Sequence, residues 1–218
     1  MRAMAMLFEH QGHTPEVDPT AYVAPNATLC GAVRVGPGCR ILFGAVLTAE
    51  GGPVELGEGC IVMENAVLRG TRQDPLRLGR HVLVGPQAYL VGCRADDDVF
   101  LASGCRVFNG ARIGSRSEVR VNAVVHLRTV LPEETTVPIG WVAVGDPGQL
   151  FPPDDHGAIW AVQRELDFPG YVFGLARPAE GESLMPEVSR RYGRALGRHR
   201  DDRPVEDGRP GDGPGLSR

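Results

Sequence analysis

The sequence contains no lysine: all 23 of its basic side chains, in 218 residues, are arginines. The chain therefore cannot supply the lysine of a P-loop, the amine of a Schiff base or the lysine of a Ser-x-x-Lys pair. Aromatic residues are also scarce, at 6%. The absence of lysine excludes several large enzyme classes on chemical grounds alone.

Long apolar runs and signal segments are also lacking. No apolar stretch approaches the roughly 18–20 residues of a membrane span. The apolar run in the opening MRAMAMLFEHQGH is too short for a secretory signal. The formal net charge is −4, and neither this balance nor any basic cluster favours a nucleic acid, so we expect neither a nucleic acid nor a membrane as partner. The five cysteines contain no CxxC pair, which favours reduced, buried thiols. These features predict a cytoplasmic protein.

The dominant feature that is present is a period of six. Apolar residues open six consecutive units at Val17, Val23, Leu29, Val35, Ile41 and Leu47. The spacing resumes at Leu56, Val62 and Leu68, then at Leu78, Val84 and Leu90, and passes through Ala102 and Phe108 to Ile113, Val119, Val125, Leu131 and Val137. Only Asp96 breaks the apolar rule. A fixed internal period of this kind is typical of repeat architectures.

Each hexad predicts one short strand with an inward apolar residue, followed by a turn that Gly, Asn or Asp tolerates. Three hexads make one coil, and stacked coils pair their backbones at about 4.8 Å. We therefore predict an all-β fold, a left-handed parallel β-helix of about seven coils. The predicted organisation is a lead-in at 1–16, the β-helix at 17–150, a C-terminal helix with its extension at 151–176, and a disordered tail at 177–218.

Irregular steps in the period predict loops. Three extra residues separate Leu47 from Leu56 and four separate Leu68 from Leu78, whereas the step from Phe108 to Ile113 is one residue short. Insertions in a solenoid are extruded on its outside, commonly on the binding face. Both long insertions are expected at the same corner.

The C-terminal segment PDDHGAIWAVQREL predicts a helix that Asp154 or Asp155 caps. This helix would lie along the solenoid or cover a neighbouring subunit. The tail is rich in Gly, Pro and charge, and we expect disorder there apart from a short helix that could form near 186–199.

The segments VLTAE, MENAVLRG, VGPQAYLVGC and WVAVGDP, in this order, resemble the gamma-class carbonic anhydrase-like family over residues 17–167. The resemblance implies a homotrimer with a zinc ion at each subunit interface, held by three His. The matching positions here are Arg69, Pro86 and Val91. Arginine is always protonated, Pro has no side-chain donor atom and Val has only methyl groups, so we predict a degenerate metal site. The family's Arg-Gly-Asp segment falls on Thr48, Ala49 and Glu50.

The hexad register places Thr48, Arg69, Val91, Asn109 and His126 in one outward column. An Arg69 guanidinium there either pairs with Glu64 or Glu50 or is available to a small anion. We expect a candidate interface pocket formed by Thr48, Glu50, Glu64, Arg69, Gln87, Tyr89 and His126. The catalytic residues stay unassigned. No cofactor is predicted, and zinc or iron could bind only if its ligands are relocated.

Three functions are consistent with this pattern. The first is a binding or scaffold role at a trimer interface, without efficient CO₂ hydration. The second is enzymatic: an active lyase with a relocated metal, or a hexapeptide acyltransferase that uses an acyl-CoA donor and His126 as general base. The third is a structural subunit of a larger assembly.

Overall fold

The computed structural model describes residues 5–179 and 181–205. Within these ranges the chain forms a left-handed parallel β-helix of about eight turns, with helices after it. The predicted fold class is therefore confirmed. No helix among the described residues is both long and apolar enough to cross a membrane.

Three sheets form the faces of the solenoid, and each turn of the chain contributes one strand to each. Sheet I contains eight parallel strands: β1 (Met6–Glu9), β4 (Thr28–Cys30), β7 (Val46–Glu50), β10 (Val67–Thr71), β13 (Tyr89–Val91), β16 (Arg106–Val107), β19 (Val124–Val125) and β22 (Val142–Val144). Antiparallel strands extend it at both ends, namely β23 (Gln149–Phe151) beside β22 and β24 (Arg203–Pro204) beside β1.

Sheets II and III have seven strands each. Sheet II contains β2 (Glu16–Val17), β5 (Val33–Val35), β8 (Val54–Leu56), β11 (Leu76–Leu78), β14 (Arg94–Ala95), β17 (Arg112–Ile113) and β20 (Val130–Leu131). Sheet III contains β3 (Tyr22–Val23), β6 (Arg40–Ile41), β9 (Ile61–Val62), β12 (Leu83–Val84), β15 (Phe100–Leu101), β18 (Glu118–Val119) and β21 (Thr136–Val137).

The core is a set of stacked aliphatic columns, one inward residue per strand. On sheet I the register joins Leu29, Leu47, Leu68 and Leu90, all fully buried. Successive coils approach so closely that a Cβ on Gly85 would lie 2.6 Å from the Ser103 backbone nitrogen. Burial of aliphatic side chains, at about 25 cal/mol per Å², therefore continues without interruption along the solenoid.

The structure corrects the position of one irregular step in the period. Leu90 pairs with Val107 on sheet I, and Ala95, not Asp96, is the inward residue of β14. The shortened step thus lies between Leu90 and Ala95, and the predicted inward Phe108 is wrong. Asp96 broke the apolar rule because its side chain faces outward, where Arg94 donates to it at 2.7 Å.

The two long insertions meet at one corner, as expected. Gly51 and Thr71 form an isolated antiparallel bridge between them. The insertions also lengthen β7 and β10 to five residues, compared with two or three in most strands. This corner borders the surface described in the next section.

The segments after the solenoid fold back along it. Helix α1 (His156–Gln163) is capped by Asp155, whose side chain accepts from the Ala158 N–H. A 3₁₀ turn (Arg164–Leu166) and a π-helical segment (Pro169–Phe173) follow. The predicted C-terminal helix is therefore present.

The structure shows more order than the predicted disordered tail at 177–218, and its helix lies where a short helix was expected, near 186–199. Helix α2 (Met185–Leu196), a 3₁₀ turn (Gly197–Asp201) and β24 occupy 185–204. Strand β24 returns to the first coil, where Pro204 is the partner of Phe8. The low apolar content of this segment predicts disorder, because it offers little surface to bury. In the structure, hydrogen bonds and ion pairs fix the segment instead. Residues 206–218 lie outside the described part of the chain.

Candidate functional site

An outward column of side chains runs along sheet I, one residue after each inward one. The register pairs Cys30 with Thr48, Thr48 with Arg69, and Arg69 with Val91. The pairing of Leu90 with Val107 and of Val107 with Val125 continues the column to Phe108 and His126. The prediction that Asn109 belongs to it is wrong, because the period shortens before β14 and not after β16. We call the set Cys30, Thr48, Arg69, Val91, Phe108 and His126 the outer column.

A groove of about 810 Å³ lies between the outer column and the C-terminal segment. Its floor comes from the solenoid, with Arg69, Val91 and Asn109 among the lining residues. Aromatic side chains form much of its lining: Tyr89, Phe108, Phe168, Tyr171, Phe173 and Tyr192. The groove therefore combines an apolar lining with a few polar groups, as small-molecule sites commonly do.

Two arginines line this groove: Arg69 at its floor, and the exposed Arg72. The Arg69 Nε is buried and has no hydrogen-bond partner among the described residues. Among the ion pairs of residues 5–179 and 181–205, none involves Arg69, so the predicted pairing with Glu64 or Glu50 is not formed in the described structure. A buried guanidinium N–H without an acceptor costs free energy, which a bound oxygen acceptor would recover.

Asp74 supplies an opposite charge to the same groove. Tyr171 donates its hydroxyl to Asp74 Oδ1 at 2.7 Å, and this bond fastens the π-helical segment to the solenoid. Burial and this hydrogen bond raise the pKa of Tyr171 to about 12. Asp74 Oδ2 is buried and has no hydrogen-bond partner within residues 5–179 and 181–205. The groove therefore presents one unsatisfied donor and one unsatisfied acceptor.

His126 lies farther along the outer column, where α1 covers it. The Gln163 side-chain amide lies 2.6 Å from His126 Nε2, and His126 Nδ1 is buried without a partner in the described part of the chain. Burial lowers the pKa of His126, so the imidazole is held neutral. Phe108 separates it from the groove floor, with ring centroids 6.2 Å apart.

The remaining predicted pocket residues are dispersed. Glu64 and Gln87 lie in the turns between sheets III and I, where the Gln87 N–H donates to the Glu64 carbonyl at 2.9 Å. Pro86 follows β12 at the same corner. Thr48 belongs to the outer column, with its Oγ1 buried and unpartnered. Of the predicted set, only Arg69 and Tyr89 line the groove.

Glu50 belongs to a different group of side chains, at the first coils of the solenoid. It accepts a hydrogen bond from His199 Nε2 at 2.7 Å. Asp202 bridges His199 and His10, with its two oxygens 2.7 and 2.6 Å from their Nδ1 atoms. We call the set His10, Cys30, His199 and Asp202 the terminal cluster.

Sequence reasoning missed the terminal cluster because its two His are 189 residues apart. One signal was available: Cys30 follows the inward Leu29, just as Arg69 follows Leu68, so Cys30 belongs to the outer column. Nothing in the sequence indicated that His199 and Asp202 would return to it.

Comparison with known proteins agrees with the motifs. No family model matches the chain. Gamma carbonic anhydrase 1, mitochondrial, of Arabidopsis thaliana is 29% identical over 142 residues, which cover 62% of this chain and 50% of that protein. A carbonic anhydrase of Geobacillus kaustophilus is 26% identical over 109 residues, covering 50% and 60% respectively. The chain spans about half the length of the first two plant relatives that it matches.

Among solved structures, a hexapeptide transferase family protein from Anaplasma phagocytophilum is 24% identical, with a TM-score of 0.41, covering 76% of this chain and 93% of that one. The resemblance to gamma-class carbonic anhydrases, predicted from the hexads and the four motifs, is confirmed by the sequence relatives.

Proposed function

We propose that this gamma carbonic anhydrase-like chain is a binding protein for a small monocarboxylate, that it acts as a homotrimer, and that it does not hydrate CO₂ at the family's zinc position. The observation that carries the proposal is the buried, unpartnered Arg69 Nε at the floor of the aromatic groove. Guanidinium groups recognise carboxylates through paired N–H donors.

The family's zinc position does not fit a metal ion in this chain. Arg69 and Val91 are neighbours in register, so a guanidinium and a methyl surface stand where the resemblance implies two imidazoles. Neither has a lone pair for zinc, and the fixed positive charge of Arg69 repels a cation. Pro86 offers no ligand from the third position. The outer column therefore favours an anion where the family binds a metal.

The groove favours a monoanion with an apolar body. Tyr89, Phe108 and Phe168 provide apolar surface next to Arg69, whereas the second arginine of the groove, Arg72, is exposed. The unpartnered Asp74 Oδ2 would repel a second negative charge. We therefore expect an aromatic or aliphatic monocarboxylate to bind better than phosphate.

A homotrimer is supported by sheet III, which presents large apolar side chains to the outside. Tyr22, Ile61 and Phe100 lie on this sheet and Phe43 lies in the turn after β6, and all four are exposed. Pro86, which aligns with the ligand that the family donates across the interface, follows a strand of the same sheet. A second copy of the chain would cover these side chains. Light scattering should give three times the 23.4 kDa subunit mass.

The enzymatic alternatives have less support. An acyltransferase base has to reach its acceptor, whereas His126 faces Gln163 of α1. The scaffold role and the cytoplasmic location stay predictions from the sequence.

The test is isothermal titration calorimetry with benzoate, acetate, bicarbonate and phosphate. Benzoate should bind most tightly, and Arg69→Gln should weaken it by about 10–100-fold, the equivalent of a charged hydrogen bond of about 1.5–3 kcal/mol. Arg77→Gln is the matched control, because Arg77 lies on sheet II and pairs with Glu55 outside the groove. Equal binding by both variants, or no binding of any of the four anions, would refute the proposal.

A further inference from the structure

The terminal cluster brings four potential metal ligands together from both ends of the described chain. Their donor atoms all lie within 4.8 Å of one another. His10 and Cys30 are 3% and 5% exposed and His199 and Asp202 are partly buried, so this is not a surface accumulation of acids. Tetrahedral zinc needs donors about 3.3–3.8 Å apart, so side-chain shifts of about 1 Å would admit the ion.

The two imidazoles stack with their ring centroids 4.4 Å apart and turn the same edge to Asp202, so both present Nδ1 to one point. Each ring turns Nδ1 towards Asp202 and Nε2 away from it. The outward Nε2 of His199 meets Glu50 Oε1 at 2.7 Å, which is the carboxylate partner that metal-bound imidazoles usually have. The outward Nε2 of His10 meets the Gln11 amide at 2.6 Å, and a flip of that amide supplies the oxygen acceptor that the metal-bound ring needs.

We propose that the terminal cluster binds one divalent transition-metal ion of the zinc class, with four ligands: His10, Cys30, His199 and Asp202. This site is separate from the family's zinc position, because it shares none of Arg69, Pro86 and Val91. It is also independent of carboxylate binding in the groove.

Charge and donor type select the class of metal. A thiolate and a carboxylate neutralise a divalent ion, and two neutral imidazoles complete the set, so the ion and its four ligands together carry no net charge, with the Glu50 carboxylate outside them. A sulfur and two nitrogens suit zinc, cobalt or iron, whereas magnesium and calcium require oxygen ligands.

Four protein ligands leave no open position, which is typical of a structural site. Cys30 belongs to β4, His10 follows β1, and the other two ligands lie just before β24. A bound ion would therefore fasten the returning C-terminal segment to the first coils. Metal binding can therefore also be tested by measuring how firmly this C-terminal segment is attached to the solenoid.

The first experiment is metal analysis of the full chain purified with a phosphine reductant, then stripped with chelator and titrated with Zn²⁺ or Co²⁺. We expect about one metal per subunit and, with Co²⁺, a thiolate-to-metal charge-transfer band. Cys30→Ser should abolish that band while keeping a hydroxyl donor to Asp202. Glu50→Gln, which alters only the imidazole's outer partner, should weaken binding by about 10–100-fold.

Matched controls are Cys39→Ser, a buried thiol of the core, and His81→Gln, an exposed imidazole beside Asp98. Both should bind metal like the wild type. Limited proteolysis of the wild type gives a test that needs no variant: chelator should speed cleavage within 181–205. Failure of the wild-type chain to bind either ion, or an unchanged cobalt band in folded Cys30→Ser, would overturn the proposal. Neither result would affect the anion titrations with Arg69→Gln.

Discussion

The hydroxyl of Tyr171 should control how firmly the C-terminal segment closes the groove. Tyr171→Phe removes the bond to Asp74 Oδ1 but keeps the ring, over which Arg128 lies 5.5 Å from the centroid. A hydrogen bond to a charged acceptor contributes about 1.5–3 kcal/mol, and partial exposure favours the lower half of that range. We therefore expect the free energy of opening to fall by about 1.5–2 kcal/mol.

The raised pKa of Tyr171 gives an upper limit for this magnitude, because burial is its largest cause and the hydrogen bond to Asp74 the second. A rise from about 10 to about 12 corresponds to at most ~2.7 kcal/mol before the discount for exposure. Because the folded-state pKa is raised, this stability is complete below about pH 10 and is lost as the pH rises towards 12. The variant should therefore differ from the wild type at about pH 8 and approach it at about pH 11.

Hydrogen exchange of the backbone amides in 164–174 is the direct assay, since the segment can open without global unfolding. Urea unfolding gives the global value. Tyr22→Phe is the control, because Tyr22 is an exposed ring on sheet III. Identical protection in Tyr171→Phe and the wild type, or a difference that persists unchanged at high pH, would refute the role assigned to this bond.

Three further predictions concern the solenoid. Gly85→Ala should lower the free energy of unfolding by about 1–3 kcal/mol in urea, because the new Cβ would lie 2.6 Å from the backbone of the next coil. The control is Gly157→Ala in α1, where the space around the glycine is open and the change should be neutral or stabilising. Equal effects of the two changes would contradict the close stacking of the coils. Leu90→Ala should cost about 2–5 kcal/mol, since the residue is fully buried in the core column, and a loss below about 1 kcal/mol would argue against that packing. Because burial lowers the pKa of His126, its contribution to the free energy of unfolding is present above the usual His pKa of about 6.5 and is lost as the pH falls below that value. The His126→Gln variant should therefore lose less stability than the wild type on the acid side. An unchanged dependence of stability on pH would show that His126 is not buried as described.

The hexad period predicted the solenoid because a repeated requirement at every coil leaves a repeated sequence signal. Each inward position must be apolar, and each turn must accept a tight conformation, so the pattern survives in single residues such as Leu47 and Leu68. The sequence pattern places the irregular step near Asp96 wrongly. One charged residue at an inward position is consistent either with an exception to the apolar rule or with a shift in the register of the six-residue period. Only the strand register, with Leu90 opposite Val107, distinguishes the two.

For the candidate sites, too, some features follow from the sequence and others only from the tertiary structure. The prediction that Arg69, Pro86 and Val91 supply no zinc ligand could be made from the sequence, because it needs only the resemblance and the identity of the side chains. The sequence could not determine that Arg69 would lack a carboxylate partner. Nor could it place His199 and Asp202 beside His10, because no local pattern records where a returning chain will dock. The tertiary structure decided those contacts, through a segment that buries little apolar surface and is positioned by backbone pairing with β1 and by hydrogen bonds between side chains far apart in the chain.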